Sequence, residues 1–315
     1  MMTLLETKQL VKYYETKAGT VHALEDVSIK ILKGKTLGVV GESGCGKSTL
    51  GRTVLRLTPA TSGEVLFHGE NILTYSEERM KSLRRQMQII FQDPYASLNP
   101  RLTVWSLIAE SLKVNRICSS RDELAERVYS IMKTVGLAER LANAYPHELD
   151  GGRRQRIGIA RALVLEPELV ICDEPVSALD VSIQAQILNL MMDLQKEMGL
   201  SYMFITHNLS VVKHISDQIA VMYLGKLVEL ANADMLFKAP VHPYTKALLR
   251  AIPIPNLSSR GRNRDILSGE VVSPIDPKPG CRFAARCEIA SSLCHTTEPP
   301  LLEKEPEHIF ACHHA

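Results

Sequence analysis

The chain has 315 residues, 45% hydrophobic and 23% charged, enough to bury a large core in one substantial domain with an appendage or in two small domains. Lys and Arg total 37 against 35 acids, so the net charge of +2 provides no broad positive field for a nucleic-acid backbone and disfavours duplex binding. No N-terminal segment has the basic, apolar, small-residue order of a signal peptide, and no apolar run reaches the roughly 18 residues of a membrane helix, so the expectation is a cytosolic chain, and any membrane role must come through a partner.

Up to residue 75, short β-like runs (Val27 to Leu32, Thr36 to Val40, Glu64 to His68) alternate with glycine turns at Gly34, Gly63 and Gly69, which predicts an antiparallel sheet. From Ser76 a capped helical pattern begins, and Met87 to Phe91 predicts a buried strand. Residues 102–145 and 153–165 read as helical, with Pro146 as a break. Leu169 to Cys172 is an apolar run ending in Asp173-Glu174, and Tyr202 to Thr206 another ending in His207. Polar residues at strand ends on one edge of a parallel sheet are where such folds put their chemistry. Beyond residue 236 prolines and glycines thicken and the regular pattern fades.

Gly41-Glu42-Ser43-Gly44-Cys45-Gly46-Lys47-Ser48 fits the phosphate-loop pattern G-x-x-x-x-G-K-[ST], between the strand ending at Val40 and a helix continuing through Thr49. Main-chain N–H groups and the positive end of that helix would face phosphate oxygens. Lys47 adds a charge for the β- and γ-phosphates, and Ser48 a hydroxyl for Mg2+. Asp173 suits a carboxylate holding Mg2+ through water, with Glu174 next to it to polarise an attacking water. His207 reads as a core or surface histidine, or as a γ-phosphate sensor.

Leu149-Asp150-Gly151-Gly152-Arg153-Arg154-Gln155-Arg156 resembles the signature motif of ATP-binding cassette (ABC) proteins. By that resemblance Gln92 is the glutamine that touches Mg2+ and faces the transport subunit, and Ser177-Ala178-Leu179-Asp180 is a dimer-contact loop. Tyr14 fits the aromatic that stacks on adenine, with Tyr13 as its rival. More narrowly, the chain resembles the ATPase subunits of bacterial dipeptide and oligopeptide importers through Gln92-Asp93-Pro94-Tyr95-Ala96-Ser97-Leu98-Asn99-Pro100, Pro175 to Ser182, and His242-Pro243-Tyr244-Thr245. Nickel importers share much of this pattern.

The resemblance implies an α/β P-loop NTPase fold. It has a mainly parallel core sheet, an antiparallel β subdomain, an inserted helical subdomain near 95–160, and a small Cys/Pro-rich extension. Residues 1–235 would form the nucleotide-binding domain and 236–315 the extension. ATP would meet Tyr14, Gly41, Ser43, Gly44, Cys45, Gly46, Lys47, Ser48 and Thr49, and in the dimer the partner's ATP would meet Asp150, Gly151, Gly152 and Asp180. Catalysis would fall to Glu174, His207 and Gln92, and Mg2+ to Ser48, Gln92 and Asp173. The implied activity is ATP hydrolysis that drives a membrane permease for peptides. Two permease subunits, a second ATPase and an external solute-binding protein complete the assembly at the cytoplasmic face of the membrane. A soluble ABC protein of repair or translation, and an ATP-using iron–sulfur enzyme, are the competing readings.

One departure bears on mechanism. The family has Ser where this chain has Asp150 and Gln where it has Arg153. A carboxylate facing a γ-phosphate repels it, which implies a heterodimer with unequal sites; the alternative is a compensating swap in which Asp150 caps the following helix.

Of the seven cysteines, Cys45, Cys118 and Cys172 read as small loop or core residues. Cys281, Cys287, Cys294 and Cys312 sit together in the proline-rich tail, in a spacing unlike the C-x2-C of common zinc folds. They would be free thiols, a zinc site or, as the resemblance implies, a [4Fe–4S] cluster that pins the tail.

Overall fold

The computed structural model describes residues 2–252 and 273–315, so that Pro253 and Pro255 of the tail lie outside the described residues. The chain divides into two compact units. One, here the loop-bearing unit, comprises Thr3–Ile31, Thr36–Leu73 and Thr206–Ala315, and the other, the helical unit, comprises Met1–Met2, Leu32–Lys35 and Thr74–Ile205.

The loop-bearing unit opens with β1 (Thr3–Thr16), which pairs antiparallel with β2 (Gly19–Val27) in the register Leu10↔Val27 and Tyr14↔Val21. β3 (Lys30–Leu32) pairs with β1 from off this path. β4 (Thr36–Val40) is buried along its whole length, and α1 (Lys47–Val54) follows the phosphate loop. β5 (Ser62–Phe67) adds to β1 antiparallel, with Leu5↔Phe67 and Thr7↔Val65, and β6 (Glu70–Asn71) closes that sheet. An antiparallel sheet is therefore present, but of the runs expected to form it Thr36 to Val40 is β4 and pairs parallel with residues 218–221 instead, and the sheet's longest strand, β1, is not legible in the sequence. Register shifts after Lys8, Leu10 and Lys12 break the two-residue alternation on which strand reading depends.

The helical unit begins with α2 (Glu77–Leu83), whose Ser76 hydroxyl accepts the Arg79 N–H as the sequence signals. β7 (Met87–Ile90) leads to the short α3 (Pro94–Ser97), then α4 (Val104–Val114), α5 (Arg121–Thr134) and α6 (Gly151–Leu163). The expected helical stretch 102–145 is thus two helices, each started by a side-chain cap, Thr103 and Ser120. β8 (Leu169–Asp173), α7 (Val181–Met198) and β9 (Ser201–Thr206) follow. β7, β8 and β9 are parallel and in register, Ile89↔Ile171↔Met203. β8 and β9 are buried throughout, as continuous apolar runs of a parallel sheet covered on both faces should be.

The loop-bearing unit resumes with α8 (Leu209–Ile215), β10 (Gln218–Tyr223) and β11 (Lys226–Asn232), with β10 parallel to β4 and antiparallel to β11. The regular pattern does not stop at residue 236: α9 (Ala233–Lys238) and α10 (Pro243–Arg250) continue it. In the tail, α11 (Ser292–Thr296) precedes β12 (Leu302–Glu305) and β13 (His308–Phe310), and β13 pairs with β11. Tyr223, Tyr244 and Phe283 pack ring to ring at 4.7–5.4 Å inside this unit's core. Wholly buried Glu229 joins the tail to it, accepting the N–H groups of Val241 and His242 and bonding His308 at 2.8 Å. Among the described residues no helix is long and apolar enough to cross a membrane.

Candidate functional site

The phosphate loop lies between β4 and α1, where the sequence places it. Gly41, Gly44 and Gly46 have φ of 154°, 79° and 101°, the kind of turns from which an anion-binding concavity of backbone N–H groups is built. At Gly46 a Cβ would lie 2.2 Å from the Ala23 carbonyl oxygen, and at Gly41 2.2 Å from that of Met222. No side chain fits either position, so the loop's course depends on glycine. Lys47 is buried, and its ammonium donates to the Gly41 and Glu42 carbonyls at 2.8 Å. Ser43 and Gly44 are exposed at the tip, while Ser48 and Thr49 form the first turn of α1. Cys45 is buried, and burial raises its thiol pKa. This cradle of backbone amides, one cation and a helix N-terminus suits a polyphosphate.

Tyr13 and Tyr14 follow one another on β1 and so face opposite ways. Tyr13 packs on His22 at 4.1 Å between ring centres, whereas Tyr14 is 38% exposed, with the Lys12 ammonium over its ring. Tyr14 is the more exposed of the two rings. His207 is exposed just beyond β9.

In the helical unit Asp173 ends β8 and is buried, while Glu174 takes up left-handed backbone with φ 48°. Non-glycine residues hold such a conformation only where their surroundings enforce it; here the Glu174 N–H donates to the Ile205 carbonyl at 2.9 Å, and the Ser177 hydroxyl donates to the Glu174 carbonyl at 3.1 Å. Gln92 and Glu174, 82 residues apart, are brought together, with the Gln92 amide donating to the Glu174 carboxylate at 2.9 Å. Hard oxygen donors in this unit suit Mg2+.

The altered signature forms the start of α6. Asp150 is its N-cap, accepting the Arg153 N–H at 2.8 Å, and the Arg153 guanidinium lies 3.3 Å from the same carboxylate. The two departures from the family pattern therefore satisfy each other. Gly151 and Gly152 form the first turn of α6, and buried Arg154 donates to the Pro146 and His147 carbonyls while stacking on Tyr95 at 3.6 Å. Asp180 starts α7 without a side-chain cap bond, next to Val181, which is 82% exposed.

Cys281, Cys287, Cys294 and Cys312 gather in the tail as unlinked thiols. Burial pushes the Cys281 thiol up to about 11, and the charges of Cys294, Cys287 and Cys312 push the same way. Burial likewise raises Cys287. Four sulfurs are a donor set suited to a soft metal or an iron–sulfur cluster. Yet among the described residues no group of three or more His, Cys, Asp or Glu is arranged to hold a metal ion. Among the described residues the four cysteines therefore form neither the zinc site nor the iron–sulfur site that stood beside free thiols as readings of them. The structure also reveals loop partners that the sequence does not signal, since Tyr244 and Arg286 contact Glu42 from 202 and 244 residues away.

The family model for "ABC transporter" matches residues 24–177, and that for "Oligopeptide/dipeptide transporter, C-terminal region" matches 228–294. The chain is 50% identical to the oligopeptide transport ATP-binding protein AppF of Bacillus subtilis, covering 99% of this chain and 97% of the relative. It is 50% identical to OppF of Escherichia coli K12 over 98% and 95% of the two chains. A solved dimeric ATP-binding cassette, bound to ADP and Pi after hydrolysis, superposes with a TM-score of 0.67 at 28% identity, covering 73% of this chain and 99% of that one. The chain belongs to the ATP-hydrolysing subunits of ABC transporters, in the branch that carries the oligopeptide/dipeptide transporter C-terminal region.

Proposed function

We propose that this protein is the energy-coupling ATPase of an importer for dipeptides or oligopeptides, acting at the cytoplasmic face of the membrane on two permease subunits supplied by an external solute-binding protein. The observation that carries the reading is a complete phosphate loop in a chain whose tail matches the oligopeptide/dipeptide C-terminal region. Relatives named for oligopeptide transport favour peptides over nickel. Residues 1–235 act as the nucleotide-binding domain and 236–315 as the extension specific to this branch.

In this reading the loop N–H groups and Lys47 would hold the phosphates, Tyr14 would stack on adenine, and Ser48, Gln92 and Asp173 would hold Mg2+. Mg2+ supplies charge neutralisation at the phosphates. Glu174, oriented by Gln92 and by its enforced backbone, polarises the attacking water, and His207 senses the γ-phosphate. ATP closes two ATPase subunits head to tail, hydrolysis reopens them, and the permease converts that motion into import. The exposed Phe91, Gln92 and Tyr95 suit a contact with the permease, and Asp180 with exposed Val181 suits one with the second ATPase.

The second ATPase is a different chain with an orthodox signature, which caps the ATP bound here, while Asp150, Gly151 and Gly152 cap the partner's ATP with an extra carboxylate. Separate mutation of Glu174 and of its counterpart tests this, since equal losses of turnover exclude unequal sites. The iron–sulfur reading of the tail cysteines rests on donor chemistry alone, and iron and acid-labile sulfide analysis of anaerobically purified protein tests it. For the function itself, native membranes are solubilised in mild detergent with the chain tagged. Two permease subunits and a second ATPase should co-purify, with ATPase activity raised by peptide and the solute-binding protein. Recovery of the chain with nucleic acid instead would overturn the importer reading.

A further inference from the structure

Glu42, the second residue of the phosphate loop, is held from one side by the C-terminal extension. Its N–H donates to the Tyr244 hydroxyl at 2.8 Å. Its carboxylate receives both terminal nitrogens of Arg286, at 2.7 and 3.0 Å. The Arg286 side chain is only 5% exposed, and it also donates to the Tyr223 hydroxyl at 3.3 Å. From the other side, the carbonyl of Glu42 accepts the ammonium of Lys47. One loop residue thus links the phosphate-binding lysine to two residues of the tail.

The support behind Arg286 is equally specific. It closes the turn Ala284–Arg286, in which the Ala284 and Arg286 N–H groups bond back to the Cys281 and Phe283 carbonyls and the following Cys287 N–H to that of Ala284, and the Cys281 N–H is tied to the Cys294 carbonyl at 2.8 Å. Tyr244 starts α10 and packs on Tyr223 and Phe283. A planar guanidinium matched to a carboxylate by two parallel bonds fixes direction as well as distance.

Resting on the ATPase reading, we infer that Arg286 and Tyr244 are positioning residues of the nucleotide site: they brace the phosphate loop through Glu42 and neutralise its carboxylate, so that the loop accepts a nucleoside triphosphate. Unpaired, that carboxylate would add a negative charge next to the phosphate cradle and would release the loop's second residue from its anchor. A merely structural role predicts a loss of stability with nucleotide affinity unchanged. The brace predicts a loss of affinity that depends on the Glu42 charge.

The test uses the full chain in its purified assembly, with affinity read by titration of a non-hydrolysable ATP analogue and KM and kcat read from ATP hydrolysis. Arg286→Ala is expected to weaken analogue binding and raise KM by about tenfold, as the loss of a charge-assisted pair does, with kcat changing much less. Arg286→Ala combined with Glu42→Gln should regain most of the affinity, because no carboxylate is then left unpaired. Tyr244→Phe, which removes only the acceptor of the Glu42 N–H, should weaken binding by a few-fold and serves if Arg286→Ala fails to assemble. Wild-type affinity in both Arg286→Ala and Tyr244→Phe, or a double variant as weak as Arg286→Ala, would overturn the brace. Absence of analogue binding by the wild-type assembly would overturn the ATPase reading itself, and the brace with it.

Discussion

Gln92 donates its amide hydrogen to the Glu174 carboxylate at 2.9 Å, joining the loop after β7 to the end of β8. Because Glu174 also sits in enforced left-handed backbone, its carboxylate is aimed by two independent constraints. Glu174→Gln preserves shape and hydrogen bonding but cannot accept a proton. It is expected to cut ATP turnover at this subunit's site by about 100-fold or more while leaving nucleotide affinity within a few-fold. Single-turnover hydrolysis and analogue binding on the same preparation separate the two effects.

Asp150 caps α6 and pairs with Arg153, so the family-typical pair Asp150→Ser with Arg153→Gln keeps a cap and removes both charges together. Its unfolding free energy should stay within about 0.5 kcal/mol of the parent, whereas Asp150→Ala should lose about 1 kcal/mol. If the second ATPase is a different chain, as proposed, the Ser/Gln variant should raise hydrolysis of that chain's ATP, measured with this subunit's own site silenced by Glu174→Gln.

Gly46 has φ 101°, with the Ala23 carbonyl 2.2 Å from where a Cβ would be. Gly46→Ala must therefore displace backbone, and a cost of about 1–3 kcal/mol in stability is expected, along with loss of detectable ATP-analogue binding. Gly44, with nothing within 4 Å of its Cβ position, should tolerate alanine better on both counts. Thermal melting and analogue titration of the two variants side by side check this contrast.

Glu229 is fully buried and serves two backbone donors and the His308 ring. Glu229→Ala leaves those groups without an acceptor in the core, with an expected cost of about 3–5 kcal/mol. Urea unfolding should show a lower midpoint, and limited proteolysis should cut the tail first, because β13 loses its side-chain tie to β11 and keeps only the backbone pairing.

His242 is 1% exposed and accepts the Tyr244 N–H on Nδ1, a bond that only the neutral ring can make. Burial lowers its pKa from the usual 6.5 to about 4, with Lys246 adding to the effect. Below 6.5 the unfolded chain therefore takes up a proton that the folded chain refuses, and stability rises with pH across this window. On acidification from 6.5 to 4 this residue should remove about 3 kcal/mol. His242→Asn retains a cap but no titrating ring, so its stability should fall less steeply over that interval in denaturant titrations at stepped pH.

Local chemistry was legible wherever a few adjacent residues carry the whole instruction. The phosphate loop needs glycines with positive φ and a lysine at fixed spacing, and its flanking strand and helix are short apolar and capped runs. The Ser76 cap and the buried parallel strands are legible for the same reason. β1 was hidden because its bulges break the alternation that identifies a strand. The end of the regular pattern at residue 236 misread a segment in which one of the prolines, Pro243, opens a helix, α10, rather than breaking one.

The sequence by itself determined the family and the ATPase chemistry, since these depend on residue identity at short spacing. Which tyrosine of β1 is the more exposed and how Gln92 reaches Glu174 across 82 residues were decided by tertiary structure. The same holds for the four thiols, which gather without forming a metal site among the described residues, and for Arg286, which reaches Glu42 across 244 residues. Such contacts arise only when burial of β10, α10 and the tail around Tyr223 and Phe283 fixes distant backbone segments together, and no local pattern encodes that distance.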